Sequence, residues 1–208
     1  MKNIIYDIKV LPTQDEPLSS DSYIIDNDYV WDCGNSKDNL KTLLGKESFI
    51  LFLSHFHPDH TENLKVLLEQ DKINECYMSN HTYLYLNRKG VFNKDDERII
   101  KISSKKEIND DMSIDIIPSC HARGCMVLYY KDILFSGDSL YGTDINGKRA
   151  MNVQNLYEQI AYLEKINNVK YIIESHSNGE LREFKEVLNE LKSYYKMKEK
   201  GNPFIYIK

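Results

Sequence analysis

The sequence predicts a single mixed α+β domain in which helices cover β-sheets. A chain of 208 residues has the size of one ordinary domain. Short strand-like runs follow one another from the N-terminus, and two stretches in the last third carry apolar residues at helical spacing. Many strands mixed with amphipathic helices are typical of layered sheets and helices. We therefore expect one domain over residues 1–208.

The composition excludes several classes of protein. Apolar residues make up 41% and charged residues 28% of the chain, as in a folded globular protein. The net charge is −5 and the basic residues are scattered, which disfavours nucleic-acid binding. The longest apolar run, Phe49–Leu53, is too short to span a bilayer, so no membrane partner is expected. The N-terminus lacks signal-peptide features, which predicts a cytoplasmic protein with reduced cysteines.

The strands and helices can be placed in order. In the first half we expect a hairpin from the strands 22–26 and 29–32, and a doubly buried strand at Phe49–Leu53 that leads into a helix over 59–70. The other predicted strands are 4–11, 75–78, 97–102, 112–117, 125–130, 132–136, 171–173 and 204–207. The other predicted helices are 36–44, 80–88, 153–166 and 181–195.

The most informative segment follows the Phe49–Leu53 strand and reads His55-Phe56-His57-Pro58-Asp59-His60. Residues two apart on an extended segment share a face, so His55 and His57 can approach one metal ion. Asp59 and His60 come at the turn into the next helix, which can direct them to the same place. A catalytic metal site uses about three protein ligands, and four candidates in six residues exceed one such site. The segment therefore predicts two metal ions.

Three further candidate ligands each follow a predicted strand. They are His121, Asp138 and His176. Strand ends on one rim of a layered domain are where functional sites collect. Imidazole and carboxylate groups suit zinc, iron and manganese. We therefore expect two divalent ions as cofactors, with zinc as the first choice and iron or manganese as alternatives.

Taken together, the motifs resemble those of the metallo-β-lactamase fold superfamily. Besides the His-x-His-x-Asp-His segment, Asp32-Cys33-Gly34 is similar to the family's Asp-x-Gly turn, and His121-Ala122-Arg123-Gly124-Cys125 is similar to its His-Thr-Pro-Gly-Ser segment. Phe135–Leu140 and Glu174-Ser175-His176 complete the pattern, in the family's order. The resemblance implies a four-layer αββα sandwich with the metals on the rim between two sheets.

The resemblance also implies a role for each ligand. One ion would be held by His55, His57 and His121, the other by Asp59, His60 and His176, and Asp138 would bridge them. Arg123 stands where the family usually has proline, and Ala122 where it has threonine or serine, so the shape of that loop is left open.

The expected reaction is hydrolysis of an ester, thioester, lactone or phosphoester in a small-molecule substrate. Two adjacent divalent ions can share a hydroxide that attacks a carbonyl or phosphoryl group without a side-chain nucleophile. Asp59 is the expected catalytic residue, because it could accept the proton of that hydroxide and pass it on. The pattern is glyoxalase II-like, although the chain lacks that family's C-terminal helical domain. True β-lactamases lack a bridging aspartate at the place of Asp138, so this activity is disfavoured.

Two alternatives stay open at this point. One is a mononuclear-iron dioxygenase on the same fold that oxidises a sulfur substrate such as a persulfide. The other is a binding module that holds one ion for stability. Flavodiiron proteins resemble the pattern too, but they carry a glutamate where His57 stands and add a flavin domain. Metal content would separate these hypotheses.

The residues that bind the substrate are weakly encoded. Arg149 and Arg123 could bind an anionic group, because guanidinium ions favour carboxylates and phosphates. Tyr141 could support an oxyanion through its hydroxyl group. Cys120, beside His121, is read as a packed thiol rather than a ligand, and His81 is the histidine without an assigned role. The oligomeric state is left open.

Overall fold

The computed structural model describes residues 1–12 and 18–207 and divides into two units. Unit 1 comprises Met1–Ser103 and Ser175–Glu180, and unit 2 comprises Ser104–Glu174 and Leu181–Lys208. Each unit has its own sheet, helices and buried apolar core. The predicted mixture of strands and helices is therefore present in both.

Unit 1 contains a seven-stranded sheet in the sequence order of its strands. The first four strands pair antiparallel and the last four pair parallel, with the fourth strand shared between the two patterns. The strands are β1 (Lys2–Asn3), β2 (Ile8–Leu11), β3 (Ser22–Ile25), β4 (Tyr29–Trp31), β5 (Phe49–Phe52), β6 (Ile73–Ser79) and β7 (Ile99–Ile102). The helices are α1 (Lys37–Leu44), α2 (Pro58–Thr61), α3 (Leu64–Glu69) and α4 (Asn80–Arg88).

Local chemistry explains several of these elements. The predicted hairpin is present as β3 and β4, and Asp26 and Asn27 both have positive φ, as a tight hairpin turn requires. Strand β5 lies between two parallel neighbours, and three of its four residues are buried, which agrees with its unbroken apolar run.

Two predicted elements of unit 1 are interrupted. The strand expected at 4–11 is broken because Tyr6 and Asp7 adopt positive φ and only β2 continues. The helix expected at 59–70 is two helices, α2 and α3. Asn63 lies between them, and its amide nitrogen donates to the carbonyl oxygens of Cys33 and Ser36. These long-range bonds fix the chain where local propensity would have continued a helix.

Unit 2 contains a six-stranded sheet and a three-stranded sheet. The order in the larger sheet is β15-β14-β11-β10-β9-β8, and only β11 and β14 pair parallel within it. Its strands are β8 (Lys106–Asn109), β9 (Met112–Ile116), β10 (Met126–Tyr130), β11 (Ile133–Gly137), β14 (Tyr171–Glu174) and β15 (Arg182–Glu183). The smaller sheet has the order β12-β13-β16, formed by β12 (Thr143–Ile145), β13 (Lys148–Asn152) and β16 (Phe204–Tyr206).

The two predicted amphipathic helices are α5 (Val153–Leu163) and α6 (Phe184–Lys196). They bury their apolar faces in the core of unit 2. Helix α6 begins later than expected because residues 182–183 pair with β14 as a short strand. Strands β12 and β13 were not predicted, although they form a hairpin whose turn, Asn146-Gly147, has positive φ at both residues. Strand β13 also pairs with β16, more than fifty residues away. Among the described residues, no helix has the length and hydropathy required to cross a membrane.

Candidate metal centre

The parallel strands of unit 1 bring the candidate ligands to one edge of its sheet. Strands β4 and β5 are parallel neighbours, so their carboxyl ends lie at the same edge. Asp32 follows β4 directly, with φ of 55°, a left-handed conformation that aspartate tolerates. The His55–His60 segment follows β5 after two residues. Asp32 therefore lies close to the histidines of the His55–His60 segment, although they are more than twenty residues apart in the chain.

Asp32 is fully buried and its carboxylate accepts three hydrogen bonds. The Ser54 backbone N–H donates to Oδ1 at 2.8 Å, and the Ser54 hydroxyl donates to Oδ2 at 2.7 Å. Nδ1 of His60, whose side chain is also fully buried, lies 2.8 Å from the same Oδ2. A carboxylate can only accept, so Nδ1 of His60 carries a hydrogen, and in the neutral imidazole, the form that binds a metal, Nε2 carries the lone pair. A carboxylate behind a ligand histidine commonly fixes the ring in this way.

The backbone around His60 is tied to the turn that follows Asp32. Its carbonyl oxygen accepts from the N–H groups of Cys33 at 3.1 Å and Gly34 at 3.0 Å. Gly34 has φ of 64°, and a Cβ there would lie 3.2 Å from the Ser22 hydroxyl oxygen, so glycine is required. The Asn63 N–H donates to the Gly34 carbonyl at 3.1 Å. The turn thus holds the histidine segment in place.

Unit 1 brings five of the predicted ligands close together. Nε2 of His55 lies 2.8 Å from Nδ1 of His57. Oδ2 of Asp59 lies 3.4 Å from Nε2 of His60 and 3.4 Å from Nε2 of His176. The His55 and His60 rings have centroids 4.2 Å apart, so the two sets adjoin. These histidine and aspartate groups could hold metal ions.

The segment that carries His176 is anchored within unit 1. His176 follows β14 by two residues and has φ of 62°. The next residue, Ser177, donates its backbone N–H to the Asp21 carboxylate at 3.0 Å. The Tyr23 hydroxyl donates to the same carboxylate oxygen at 3.0 Å. A buried aspartate therefore holds the loop beside the ligand.

In unit 2, His121 and Asp138 lie together. Nε2 of His121 is 3.4 Å from Oδ2 of Asp138. Their loops are joined by the buried side chain of Gln159 on α5, whose amide nitrogen donates to the carbonyl oxygens of Pro118 at 2.8 Å and Ser139 at 2.7 Å. Gln159 therefore links the two loops, and the Ser119 hydroxyl adds a direct bond to the Ser139 carbonyl at 2.9 Å.

The measured spacings fit a shared cation. Tetrahedral zinc bonds of about 2.0–2.1 Å place two ligand atoms about 3.3–3.4 Å apart, whereas hydrogen bonds are about 2.7–3.2 Å. Three nitrogen–carboxylate pairs, at 3.4 Å, match the ligand spacing, whereas the nitrogens of His55 and His57, at 2.8 Å, have a hydrogen-bond distance. In the neutral ring, Nε2 of His60 does not donate to Asp59, because the hydrogen lies on Nδ1. The donors and their spacing thus suit a divalent metal ion.

Cys120 differs from these ligands. It is buried, its sulfur lies 3.6 Å from the Asn152 carbonyl oxygen, and burial raises its pKa to about 11. Among the described residues, it belongs to neither group of side chains that could hold a metal ion. This agrees with its interpretation as a packing residue. His81 lies exposed on α4.

The three predicted substrate residues all lie in unit 2. Tyr141 follows Asp138 in a turn, and its backbone N–H donates to the Asp138 carbonyl at 2.9 Å. Arg149 lies on β13 rather than in a loop, and its guanidinium carbon is 5.9 Å from the centre of the Tyr141 ring. Arg123 is exposed in the loop after His121. The structure thus pairs two of the three residues, and substrate binding by any of them stays a prediction.

Several positioning residues were not predicted. The turn at Asp32 resembled a family motif, but its contact with His60 depends on the register of β4 and β5. Asn63 and Gln159 act through backbone carbonyls far away in the chain. For Gln159, a polar residue on the apolar face of a predicted helix was the available signal.

Comparison with known proteins identifies the fold. No protein-family model matches the sequence, and no relative was found among curated proteins. The crystal structure of DIM-1 metallo-β-lactamase superposes with a TM-score of 0.73 at 16% identity, over 94% of this chain and 95% of that one. An archaeal metallo-β-lactamase superfamily protein from Sulfolobus tokodaii gives 0.61 at 19% identity, over 90% and 85%. The chain has the metallo-β-lactamase fold.

The fold class predicted from the motifs is thereby confirmed. The metallo-β-lactamase fold is also found here in a rubredoxin oxygen:oxidoreductase from Desulfovibrio gigas, with a TM-score of 0.72 at 12% identity. That match covers 95% of this chain and 62% of the oxidoreductase. Neighbours named as a β-lactamase and as an oxidoreductase share the fold, so the fold alone does not fix the reaction.

Proposed function

We propose that this protein is a dinuclear metal-dependent hydrolase that cleaves an ester, thioester, lactone or phosphoester of a small molecule. The observation that carries the proposal is the meeting of two imidazole nitrogens, from His60 and His176, at one oxygen of Asp59, each at 3.4 Å. That spacing suits a zinc ion better than a hydrogen bond.

The proposed ligand sets follow the sequence motifs. His55, His57 and His121 would hold the first ion, and Asp59, His60 and His176 would hold the second. Asp138 would serve as a further ligand. The 3.4 Å spacing of His121 and Asp138 within unit 2 supports their shared role. Zinc is proposed as the native metal, with iron and manganese as alternatives of similar ligand preference.

When bound, two such ions supply a nucleophilic water of near-neutral pKa and polarise the bond to be cleaved. Asp59 has the position of the proton acceptor, because its side chain is partly exposed while Oδ2 faces the two histidines. It takes the proton of the attacking water and delivers it to the leaving group. The histidines act as ligands only, because a coordinated imidazole has no lone pair left to accept a proton.

A small anionic or polar substrate would approach Tyr141 and Arg149. Their stacking holds a guanidinium group next to the turn that carries Asp138. We propose that Arg149 binds an acidic group of the substrate and that Arg123 is a second contact. Alanine at Arg149 should then raise KM for acidic substrates more than for neutral ones.

The decisive test is metal content together with activity. Anaerobically purified protein should contain close to two ions per chain by elemental mass spectrometry, and Asp138→Ala should reduce this number. Asp59→Ala and His57→Ala should abolish hydrolysis in a panel of esters, lactones and phosphodiesters. The control is His81→Ala, since His81 is an exposed histidine outside the ligand sets. Its metal content and activity should match those of the wild type.

Other results would reject the proposal. Activity that survives loss of His57, Asp59 or Asp138 would exclude it. A single iron per chain, unchanged by Asp138→Ala and accompanied by oxygen uptake with persulfides, would establish the dioxygenase alternative instead. One tightly held ion without any reaction would indicate a structural site.

A further inference from the structure

The Ser54 hydroxyl group lies between Asp32 and two of the histidines. The residue ends the extended run after β5, and it is only 1% exposed. Its oxygen is 2.7 Å from Oδ2 of Asp32, 3.0 Å from Nδ1 of His55 and 3.2 Å from Nδ1 of His60. One buried hydroxyl therefore contacts one carboxylate and two imidazoles.

The direction of each hydrogen bond follows from what each group can donate. A serine hydroxyl has a single hydrogen, and the carboxylate of Asp32 can only accept it. The serine oxygen must then accept from the ring of His55, so Nδ1 of His55 carries a hydrogen. Nε2 of His55 is left with its lone pair. Asp32 thus acts on His60 directly and on His55 through Ser54.

The same reasoning extends to His57. Its Nδ1 lies 2.8 Å from Nε2 of His55, which is a hydrogen-bond distance. Because Nε2 of His55 accepts, Nδ1 of His57 carries the hydrogen in the metal-free protein. An ion that binds to both nitrogens must displace this hydrogen, and the opposite nitrogen of His57 then carries it.

We propose that Ser54 is a positioning residue that connects Asp32 to His55. Asp32 then fixes the tautomer of His60 directly and that of His55 through Ser54, so one buried carboxylate determines which nitrogen binds the metal in a ligand of each ion. The inference rests on the proposed function only in taking His55 and His60 as ligands of different ions. Ser54 acts mainly on the first ion, because His60 has the closer Asp32 oxygen at 2.8 Å and Ser54 only as a second contact at 3.2 Å, whereas Asp32 acts on both ions.

This division gives Ser54 variants a selective effect. Ser54→Ala removes the acceptor for His55 but leaves the 2.8 Å contact of His60 with Asp32. The His55 ring is then free to place its hydrogen on Nε2, which blocks coordination. Loss of a group that orients a ligand costs about 10–100-fold in metal affinity. We expect that loss for the first ion and a clearly smaller loss for the second, because His60 keeps its contact with Asp32 and loses only the 3.2 Å contact with Ser54. Ser54→Thr keeps the hydroxyl and should restore the first affinity.

The experiment uses the full chain in metal-free form and zinc ions as the probe. Stepwise zinc affinities are measured against a competing chelator for the wild type, Ser54→Ala and Ser54→Thr. The matched control is Ser113→Ala, which removes a buried serine hydroxyl from β9 in unit 2. Two-bond proton–nitrogen NMR spectra of the metal-free wild type report the tautomers of His55 and His60 without any substitution. Thermal melting shows whether each variant is folded.

The expected results are Nδ1–H tautomers for both histidines and a selective loss of one zinc affinity in Ser54→Ala. A hydrogen on Nε2 of His55 in the wild type would overturn the proposal, even if a variant fails to fold. Equal affinities in Ser54→Ala and the wild type would also overturn it, as would equal losses for both ions. A wild type that binds no zinc would instead refute the proposed function, so the two failures are distinguishable.

Discussion

Replacing Asp32 by asparagine should weaken both metal ions without a change in side-chain volume. The backbone N–H of Ser54 is a fixed donor 2.8 Å from Oδ1, so the amide oxygen of the new residue must take that position. The amide NH₂ group then faces the two atoms that now donate to Oδ2. Both of those contacts must reverse their direction.

Reversing these two hydrogen bonds also changes which ring nitrogen of His60 and of His55 carries the hydrogen. The new NH₂ group donates to Nδ1 of His60, which must give up its hydrogen, and the hydrogen moves to Nε2. The Ser54 oxygen accepts the other amide hydrogen, so its own hydrogen turns toward Nδ1 of His55 at 3.0 Å. The hydrogen of His55 therefore also moves to Nε2. Each nitrogen that should bind an ion becomes a donor.

The size of the effect follows from the number of ligands affected. One misdirected ligand costs about 10–100-fold in metal affinity, and Asp32→Asn misdirects one ligand in each set. We expect each zinc affinity to fall by this factor, or about 1.4–2.7 kcal/mol per ion. The metal-free protein should lose about 1–3 kcal/mol of stability, because three hydrogen bonds to a charged group become bonds to a neutral amide.

The assay compares zinc titrations and histidine NMR spectra of Asp32→Asn with those of the wild type. Asp132→Asn is the control, since it removes a carboxylate that contacts Lys170 at 2.9 Å in unit 2. The control should keep wild-type zinc affinities. If Asp32→Asn binds two zinc ions with wild-type affinity, or if His60 keeps its hydrogen on Nδ1, the reasoning about tautomers is wrong.

Three further predictions concern other parts of the chain. Gln159→Leu removes the donors to the Pro118 and Ser139 carbonyl oxygens, of which Ser139 keeps a bond from the Ser119 hydroxyl, and should cost about 1–3 kcal/mol in urea unfolding, together with loss of bound metal. Gly142→Ala places a Cβ 2.7 Å from a β13 carbonyl oxygen and should cost about 1–3 kcal/mol, whereas Gly147→Ala meets no atom within 4 Å and should cost only about 1 kcal/mol for its positive φ. The hydrogen bonds from Arg98 hold the pKa of Asp96 below its ordinary value, so their stabilisation is present above about pH 4 and is lost as the pH falls. Between pH 5 and pH 2, the free energy of unfolding of Asp96→Asn should therefore fall by about 0.5–1 kcal/mol less than that of the wild type, which a series of melts over this range measures.

The sequence was informative where the controlling contacts are local. The His55–His60 segment could be interpreted because its four ligand types lie within six residues at the end of one strand. The hairpin of β3 and β4 and the helices α5 and α6 depend on short-range turn chemistry and helical periodicity, and they were predicted close to their positions. In each case the physical cause lies within one element or one turn.

The predictions failed where contacts between distant segments decide the structure. The helix expected at 59–70 is interrupted because Asn63 bonds to carbonyl oxygens about thirty residues away. Arg149 lies on β13, which pairs with β16 near the end of the chain and also with β12 in a local hairpin. The pairing with β16 leaves no local pattern, whereas the turn Asn146-Gly147, with positive φ at both residues, was a local hairpin signal that the prediction missed.

The same distinction separates the ligands from the groups that orient them. A ligand can be recognised by its chemical type, since few residue types bind a transition metal. A group that fixes a tautomer can be any acceptor that the fold brings to the other ring nitrogen. Asp32 and Ser54 have this role because parallel pairing of β4 and β5 places the ends of both strands at one edge. A shift of that register by one residue would leave every histidine in the motif unchanged and would still direct the wrong nitrogen toward the metal.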